Sequence, residues 1–575
     1  MVKANFRYYQ GKYFQGNLTD NEAMAILTLV NDYEELDSLT NCVKNLTKDE
    51  IKIIKDSAET YIEEKDSLSG YRVPDTLNPA TGKLRPYQTK GVGFMYYAQS
   101  ALLGDEVGLG KTVQIAGLMN LIRNEHKQKG KSFRGLFLGE KSTVGQLQDK
   151  LIQFTGEYIE LIPSGEGKNV KEFLERMSSN KNISVVGTHS LMNNPEFITY
   201  LAKNPFDLLV FDESSALKNT SSQMYQSCKT VFRLHKRIVL LNGTPVEISI
   251  RDMYNQLDLL DPDYMPTVKD FNKQFSRMKR TAFGFQPDGF KNEEIFRHAV
   301  KLRYLARTRA QLGAVYEGNR YKTILIPLTP TQKKLNSKTT LKHLVANYPT
   351  KVDRNIPFNK ETTSKLAVLE QIIQTEVIKG ETQGLIFAHY VDSQEGIKDM
   401  FEKQGYRVCI LNGRTKQKDR TRLAEEYDKG QYDIMITNVL RGLDLNSSDV
   451  AIVYSIDPNP SKMVQFEGRM TRDFDVRNKA TYLLVSMGKE KELFEGNLKM
   501  RADASAAFAT VGNSMVLKSI STEDNKVMYE SEEAKKERYS KGQHTMRELI
   551  DYANKHGKPT SGLVPSVNEV QTELF

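Results

Sequence analysis

The sequence predicts an α/β protein built from two parallel-sheet domains in tandem, with a helical insertion, a small N-terminal domain and a C-terminal tail. Three observations predict it. The chain has 575 residues, too many for one hydrophobic core. Short apolar runs alternate with helical segments in two separate arrays. Polar, glycine-containing motifs stand at the ends of several of those runs. In the first array, GLFLG, ISVVGT, DLLVFDE and RIVLLNG read as strands; in the second, GLIFAH, YRVCILNG, YDIMITN, DVAIVYSID and ATYLLVS do so. Each is apolar on both of its alternating faces, as in a parallel sheet covered on both sides by crossover helices.

Taken in order, residues 1–75 form a small N-terminal domain. It opens with an aromatic and basic stretch, Phe6 to Phe14, and continues into helical patterns such as AMAILTLVNDYEEL. Tyr8, Tyr9, Tyr13 and Phe14 could stack on bases or form an ordinary hairpin core. Residues 76–262 carry the first array, 263–365 a basic, mostly helical insertion and linker, and 366–500 the second array. The remainder, 501–575, holds the charged helical stretch SEEAKKERYSKGQHTMRELIDYANKHG and a Pro/Gly/Ser-containing tail expected to be flexible.

Composition narrows the class. With 39% hydrophobic and 27% charged residues the chain reads as globular and not disordered. No segment approaches the roughly 18 apolar residues of a membrane span. The N-terminus lacks the apolar core of a secretory signal, so a cytoplasmic, reducing compartment is expected, nucleoid-associated in a bacterium or the host cytoplasm for a phage protein. Cys42, Cys228 and Cys409 form no CxxC or Cys/His cluster, which suggests neither a disulfide framework nor a zinc site. The net charge of +9 favours an anionic partner. Between Lys269 and Arg309 eleven Lys or Arg face four Asp or Glu. That run is either a phosphate-contacting surface or a solvated helix face.

DEVGLGKT, Asp105 to Thr112, follows apolar ALL and precedes a helical pattern. A tight loop entering a helix turns backbone N–H groups and the positive end of the helix dipole toward phosphates. Gly108 and Gly110 permit that path, Lys111 would reach the β- and γ-phosphates of ATP, and Thr112 would ligate Mg²⁺. Asp105 occupies the position where the general phosphate-loop pattern has glycine. In DLLVFDES an apolar strand delivers adjacent carboxylates to its C-terminal end, where parallel sheets bind ligands. Asp212 would hold Mg²⁺, and Glu213 would orient and deprotonate the attacking water.

Over residues 80 to 500 the chain resembles superfamily 2 helicases, and within them the Swi/Snf-type double-stranded DNA translocases, whose fold is a pair of RecA-like domains. LRPYQTKGVGFM looks like the segment before the phosphate loop, with Gln88 at the place of an adenine-contacting glutamine. DEVGLGKT looks like motif I, FDESSALKN like a DEAH-type motif II, and LLNGTPVE like motif III. DMYNQLDLLDP and YLARTRAQL also follow the family's pattern. GLIFAHY looks like motif IV, ITNVLRGLDLNSSD like motif V with Thr437, Gly442 and Asp444 at matching positions, and QFEGRMTR like motif VI. Three departures stand out. Ser214 and Ser215 replace the Ala-His of a DEAH box, Asn242 stands where the family usually has threonine, and RGLDL lacks the second glycine of the Swi/Snf motif V.

The resemblance implies an ATP hydrolase that moves on nucleic acid, double-stranded DNA first and single-stranded or branched DNA or RNA as alternatives. Gln88 and Asp444 would contribute to nucleotide binding. Arg469 and Arg472, three apart on one helix face, would act as arginine fingers. Thr188, His189, Thr244 and Thr437 would contact the nucleic-acid backbone. A nucleotide-gated scaffold with little turnover is the reading from another class, opposed by the intact Glu213, Arg469 and Arg472. The final QTELF resembles the peptide by which bacterial and phage proteins dock on sliding clamps, through Gln571, Leu574 and Phe575. Each site is completed within one chain, so a monomer is expected.

Overall fold

A computed structural model describes residues 4–5, 15–16, 75–141, 143–162, 168–246, 250–262, 265, 267–281, 284–291, 303–309, 311–313, 320–439, 445, 447–457, 466, 478–495 and 526–528. The described residues fall into two compact units divided between 313 and 314. Near the N-terminus, β1 (Ala4–Asn5) pairs antiparallel with β2 (Gln15–Gly16). The aromatic residues between them lie outside the described residues.

In the first unit, α1 (Pro86–Ala98) leads into β3 (Ser100–Leu103), which runs through the phosphate loop into α2 (Lys111–Gln128). There follow β4 (Arg134–Gly139), α3 (Val144–Thr155), β5 (Glu160–Leu161), α4 (Lys168–Ser179), β6 (Ile183–Thr188) and α5 (Pro195–Lys203). Then come β7 (Leu208–Phe211), α6 (Gln223–Val231), β8 (Ile238–Leu241), α7 (Ile250–Leu260) and α8 (Val268–Phe275). After an antiparallel hairpin of β9 (Ser276–Thr281) and β10 (Gly284–Phe290), β11 (Tyr304–Leu305) returns to the sheet. That sheet has seven strands in the order β11-β3-β8-β7-β4-β6-β5, every pairing parallel. Alternate residues of one strand enter opposite cores. Leu136, Leu138, Leu209, Phe211 and Leu240 pack on one side. Phe137, Leu208, Val210, Val239 and Leu241 pack on the other with Ile115, Leu118 and Met119 of α2. This two-sided burial is why the runs are apolar without interruption.

The second unit repeats the plan. Its elements are β12 (Arg320–Ile326), α9 (Pro330–Asn336), α10 (Lys342–Asn347), α11 (Ser364–Glu376), β13 (Gly384–Phe387), α12 (Val391–Glu402) and β14 (Val408–Leu411). They continue with α13 (Gln417–Asp428), β15 (Ile434–Thr437), β16 (Val450–Val453), β17 (Ala480–Ser486) and β18 (Lys526–Met528). The sheet order is β14-β15-β13-β16-β17-β12-β18, again parallel throughout. Ile386, Ile434, Ile436 and Ile452 form its core with Leu366, Leu369 and Ile373 of α11.

Within residues 263–365 the described parts are shared between the units: β11 joins the first sheet and β12 the second. β9 and β10 pair as antiparallel strands and not as a helix because Gly284, Pro287 and Gly289 are poor helix residues, and the register shifts between Pro287 and Gly289. The 501–575 extension supplies a strand, β18, that no apolar run announced.

Candidate nucleotide site

Strand order assembles the site. β8 lies between β3 and β7, so the loops after three neighbouring parallel strands meet at one sheet end. They are motif I after β3, motif III after β8 and motif II after β7. Gly108 and Gly110 have φ of +97° and +74°, in the left-handed region where a side chain is disfavoured. A Cβ on Gly110 would stand 2.6 Å from Gln88 Nε2, and one on Gly243 would stand 2.9 Å from Val107 Cγ2 and 3.2 Å from Lys111 Nζ. The loop is therefore closed in from two sides. Lys111 opens α2 and donates to the Asp105 carbonyl at 2.7 Å. Burial pushes its ammonium below the ordinary lysine range, while Glu213, Asp105, Asp212 and Glu106 pull it back up. Thr112 follows it, half-buried.

The two acidic residues of the loop are held by arginines from after β11. Arg307 donates to Asp105 through Nε at 3.0 Å and Nη2 at 2.5 Å, and its backbone N–H reaches the same carboxylate at 3.1 Å. Gln114 of α2 donates to Asp105 at 2.9 Å and accepts from Arg307 at 2.9 Å. Arg307 also donates to the Tyr87 carbonyl and lies over the Tyr87 ring. Arg309 grips Glu106 through Nε at 3.1 Å, Nη2 at 2.8 Å and its backbone N–H at 2.7 Å. Asp105, Glu106 and Arg309 are buried. Asp105, a departure from the general phosphate-loop pattern, is thus a buried anchor. The basic run read as a phosphate-contacting surface or a solvated face is neither at this end: Arg303, on Asp261 at 2.8 Å, Arg307 and Arg309 turn inward. Lys269, Lys273, Arg277 and Lys291 of the same run are exposed.

Gln88 is buried, and its side chain is committed locally. Its Oε1 accepts from the Arg85 N–H at 2.9 Å, capping α1, and its Nε2 donates to the Leu109 carbonyl at 3.3 Å beside the Tyr87 hydroxyl at 3.0 Å. Tyr87 and Gln88 together brace the phosphate loop from below.

At the end of β7, Glu213 adopts φ 50°, ψ 55°, left-handed for a non-glycine residue. The preceding carbonyl, of Asp212, accepts from His189 Nε2 at 2.7 Å, and the His189 ring stacks on Phe211 with centroids 4.1 Å apart. Burial drives the imidazole down to a pKa of about 4, so it is neutral near pH 7. Behind Glu213, Ser214 donates to Gln256 of α7 at 2.6 Å, and Asn242 of motif III donates to the same oxygen at 3.0 Å.

The four residues expected to touch nucleic acid are buried in their own units: Thr188 and Thr437 end β6 and β15, His189 follows β6, and Thr244 lies in the loop after β8. The hydroxyls of Thr188 and Ser190 are bonded at 2.7 Å, and Thr437 accepts from the Val439 N–H at 2.9 Å. Thr244 Oγ1 has no hydrogen-bond partner among the described residues. These four residues are between 1% and 6% exposed in the structure. Gly442, Asp444, Arg469, Arg472, Gln571, Leu574 and Phe575 lie outside the described residues. Tyr87, Arg307, Arg309 and Gln256 had no role in the sequence reading. The signal for the arginines was YLARTRAQL, whose family pattern carried no partner.

Among the described residues no three His, Cys, Asp or Glu side chains gather to hold a metal. A hydroxyl from Thr112 and one carboxylate from Asp212 fit Mg²⁺, which keeps waters and phosphate oxygens among its ligands. No helix among the described residues is long and apolar enough to cross a membrane.

Residues 87–378, just over half of the chain, match the family model of the SNF2-related domain, and residues 364–473 match that of the helicase conserved C-terminal domain. The chain is 24% identical over 424 residues to the Xenopus laevis SWI/SNF-related matrix-associated actin-dependent regulator of chromatin subfamily A-like protein 1, covering 71% of this chain and 42% of that protein. To the Saccharomyces cerevisiae ISWI chromatin-remodeling complex ATPase ISW1 it is 23% identical over 467 residues, covering 73% and 40%. The chain spans about two-fifths of the length of these curated relatives. A solved Sulfolobus solfataricus SWI2/SNF2 ATPase core in complex with dsDNA is 18% identical, with a TM-score of 0.37 over 77% of this chain and 98% of that one.

Proposed function

Because the chain belongs to the SNF2-related domain family, we propose that it is an ATP-hydrolysing motor that translocates along double-stranded DNA and remodels DNA or DNA–protein complexes. The observation that carries this reading is the meeting of motifs I, II and III at one sheet end, where Lys111 lies within the field of Glu213 and Asp212. In this reading Lys111 and the backbone N–H groups of the loop bind the phosphates, and Thr112 and Asp212 hold Mg²⁺. Gln88 and Asp444 belong to the nucleotide side. Bound Mg²⁺ neutralises phosphate charge. Glu213 orients the attacking water and takes its proton. Arg469 and Arg472 would act as arginine fingers on the γ-phosphate, a contribution worth roughly 10³ to 10⁵ in rate in related NTPases.

Each unit then grips the DNA backbone in turn, which suits a motor because phosphate contacts carry no sequence. Thr188, His189, Thr244 and Thr437, with the loops around them, would supply those contacts. The two curated relatives bear chromatin in their names, which supports displacement of bound protein as the output. Gln571, Leu574 and Phe575 would dock on a sliding clamp, bringing the motor to replication or repair sites.

The test is ATP hydrolysis by the purified chain alone and with duplex, single-stranded or branched DNA or RNA, with Glu213→Gln as control. Duplex DNA is expected to stimulate hydrolysis, and the control to abolish it. Equal rates with and without every nucleic acid would sink the motor reading. Displacement of an annealed strand would favour the helicase alternative that RGLDL keeps open.

A further inference from the structure

Ser214 and Asn242 are two of the positions at which this chain departs from its family's pattern, and one buried side chain joins them. Gln256 Oε1 accepts from Ser214 Oγ at 2.6 Å and from Asn242 Nδ2 at 3.0 Å. Its Nε2 donates to the carbonyls of Pro245 at 3.0 Å and Asp252 at 2.9 Å, so both ends of the amide are fully used. Asn242 Oδ1 in turn accepts from the Thr244 N–H at 2.9 Å. Ser214 and Gln256 are 0% exposed and Asn242 1%, a setting in which a satisfied network fixes geometry strongly. Beside it stands Glu213, in a backbone conformation that persists only when its surroundings over-determine it. His189 holds the carbonyl before Glu213, and Ser214 is the residue after it.

We infer that Gln256 is a positioning residue of the hydrolytic site. Through Ser214 it keeps Glu213 in its left-handed turn, and through Asn242 it fixes that turn against motif III, whose Gly243 abuts Lys111. The inference rests on the reading of Glu213 as the residue that activates water.

The experiment is a double-mutant cycle on the full chain with Ser214→Ala, Gln256→Met and both together. It measures kcat and KM for ATP, binding of a fluorescent ATP analogue, and urea unfolding. Each single variant is expected to lower kcat about tenfold, the scale of one buried hydrogen bond. KM and analogue affinity should stay within about twofold, and the double variant should be no slower than the worse single. Ser214→Ala is the milder change and keeps Gln256 bonded to Asn242, so it tests the contact even where Gln256→Met fails to fold. A kcat within twofold of wild type for Ser214→Ala, losses that multiply in the double variant, or a fall in affinity equal to the fall in kcat would each overturn the inference. Additive unfolding energies would show Ser214 and Gln256 to be uncoupled and would overturn it as well. A wild-type chain that binds ATP without hydrolysing it would instead sink the functional reading, and the positioning role with it.

Discussion

Replacing Arg307 with methionine tests whether the phosphate loop is held by its buried ion pairs. The guanidinium makes two hydrogen bonds to Asp105 and one to Gln114, and it covers the Tyr87 ring. Methionine keeps much of the apolar stem and removes all of the donors. Asp105 is 0% exposed and would retain only Gln114 and a backbone N–H. Stranding one partner of a buried pair costs about 3–5 kcal/mol, against a total stability of about 5–15 kcal/mol for a typical domain. Adding Asp105→Asn removes the uncompensated charge, so the double variant should recover about 2 kcal/mol or more of the loss. The assay is urea unfolding of the three variants with and without ATP, following the transition that nucleotide protects, since the two units unfold separately in the general case. An Arg307→Met chain within about 1 kcal/mol of wild type, with ATP protection intact, would refute the argument and make the pair behave like an exposed one.

Gly91→Ala should raise helix propensity by about 1 kcal/mol on α1, yet its Cβ would lie 1.9 Å from Gln114 Oε1 and 2.8 Å from Arg307 Nη2. Overpacking of about 1–3 kcal/mol should prevail, and a higher melting temperature would contradict it. In the second unit Lys365, 0% exposed, is bonded to Glu490, Asn347 and the Tyr454 carbonyl. Lys365→Met alone should cost about 3–5 kcal/mol, and adding Glu490→Leu should recover only part of that loss in chemical denaturation, because Glu490 also accepts from Asn347 Nδ2 and the Ser486 N–H. His189 titrates near 6.5 when unfolded and near 4 when folded, so the unfolded chain takes up a proton first as pH falls. Stability should therefore decline from about pH 6.5 down to about 4, by about 3 kcal/mol in all, and be unaffected by this group above that window. His189→Gln should flatten that part of the urea-midpoint profile, and an unchanged slope would count against the burial argument.

Much of the fold was legible because both sheets are buried on both faces. GLFLG, ISVVGT, DLLVFDE and RIVLLNG became β4, β6, β7 and β8, and the five later runs became β13 to β17. β11 and β18 escaped notice because two and three residues are too short to show a period. β12 escaped because RYKTILI begins as a polar strand inside a basic segment. Motif spacing indicated Lys111, Asp212 and Glu213, and strand order then brought their loops together. It could not reveal what the polar side chains hold. In sequence Arg307 and Arg309 are surplus positive charge, because their partners Asp105 and Glu106 lie about two hundred residues away. Thr188 and Thr437 are the last residues of β6 and β15 and Thr244 lies in the loop after β8, and all three hydroxyl-bearing side chains are buried there.

The separation between the phosphate loop and its arginines also orders events in time. During synthesis Asp105 and Glu106 emerge long before Arg307 and Arg309, and until then two carboxylates border the loop without their cations. Phosphate approaching such a half-made loop meets net negative charge. Closing a span of 202 residues is slow relative to forming local helices, although its entropic cost grows only logarithmically with length. The nucleotide site is thus among the last parts of the first unit to become competent, and a nascent or truncated chain ending before Arg307 should be unable to bind ATP, whatever the state of its phosphate loop.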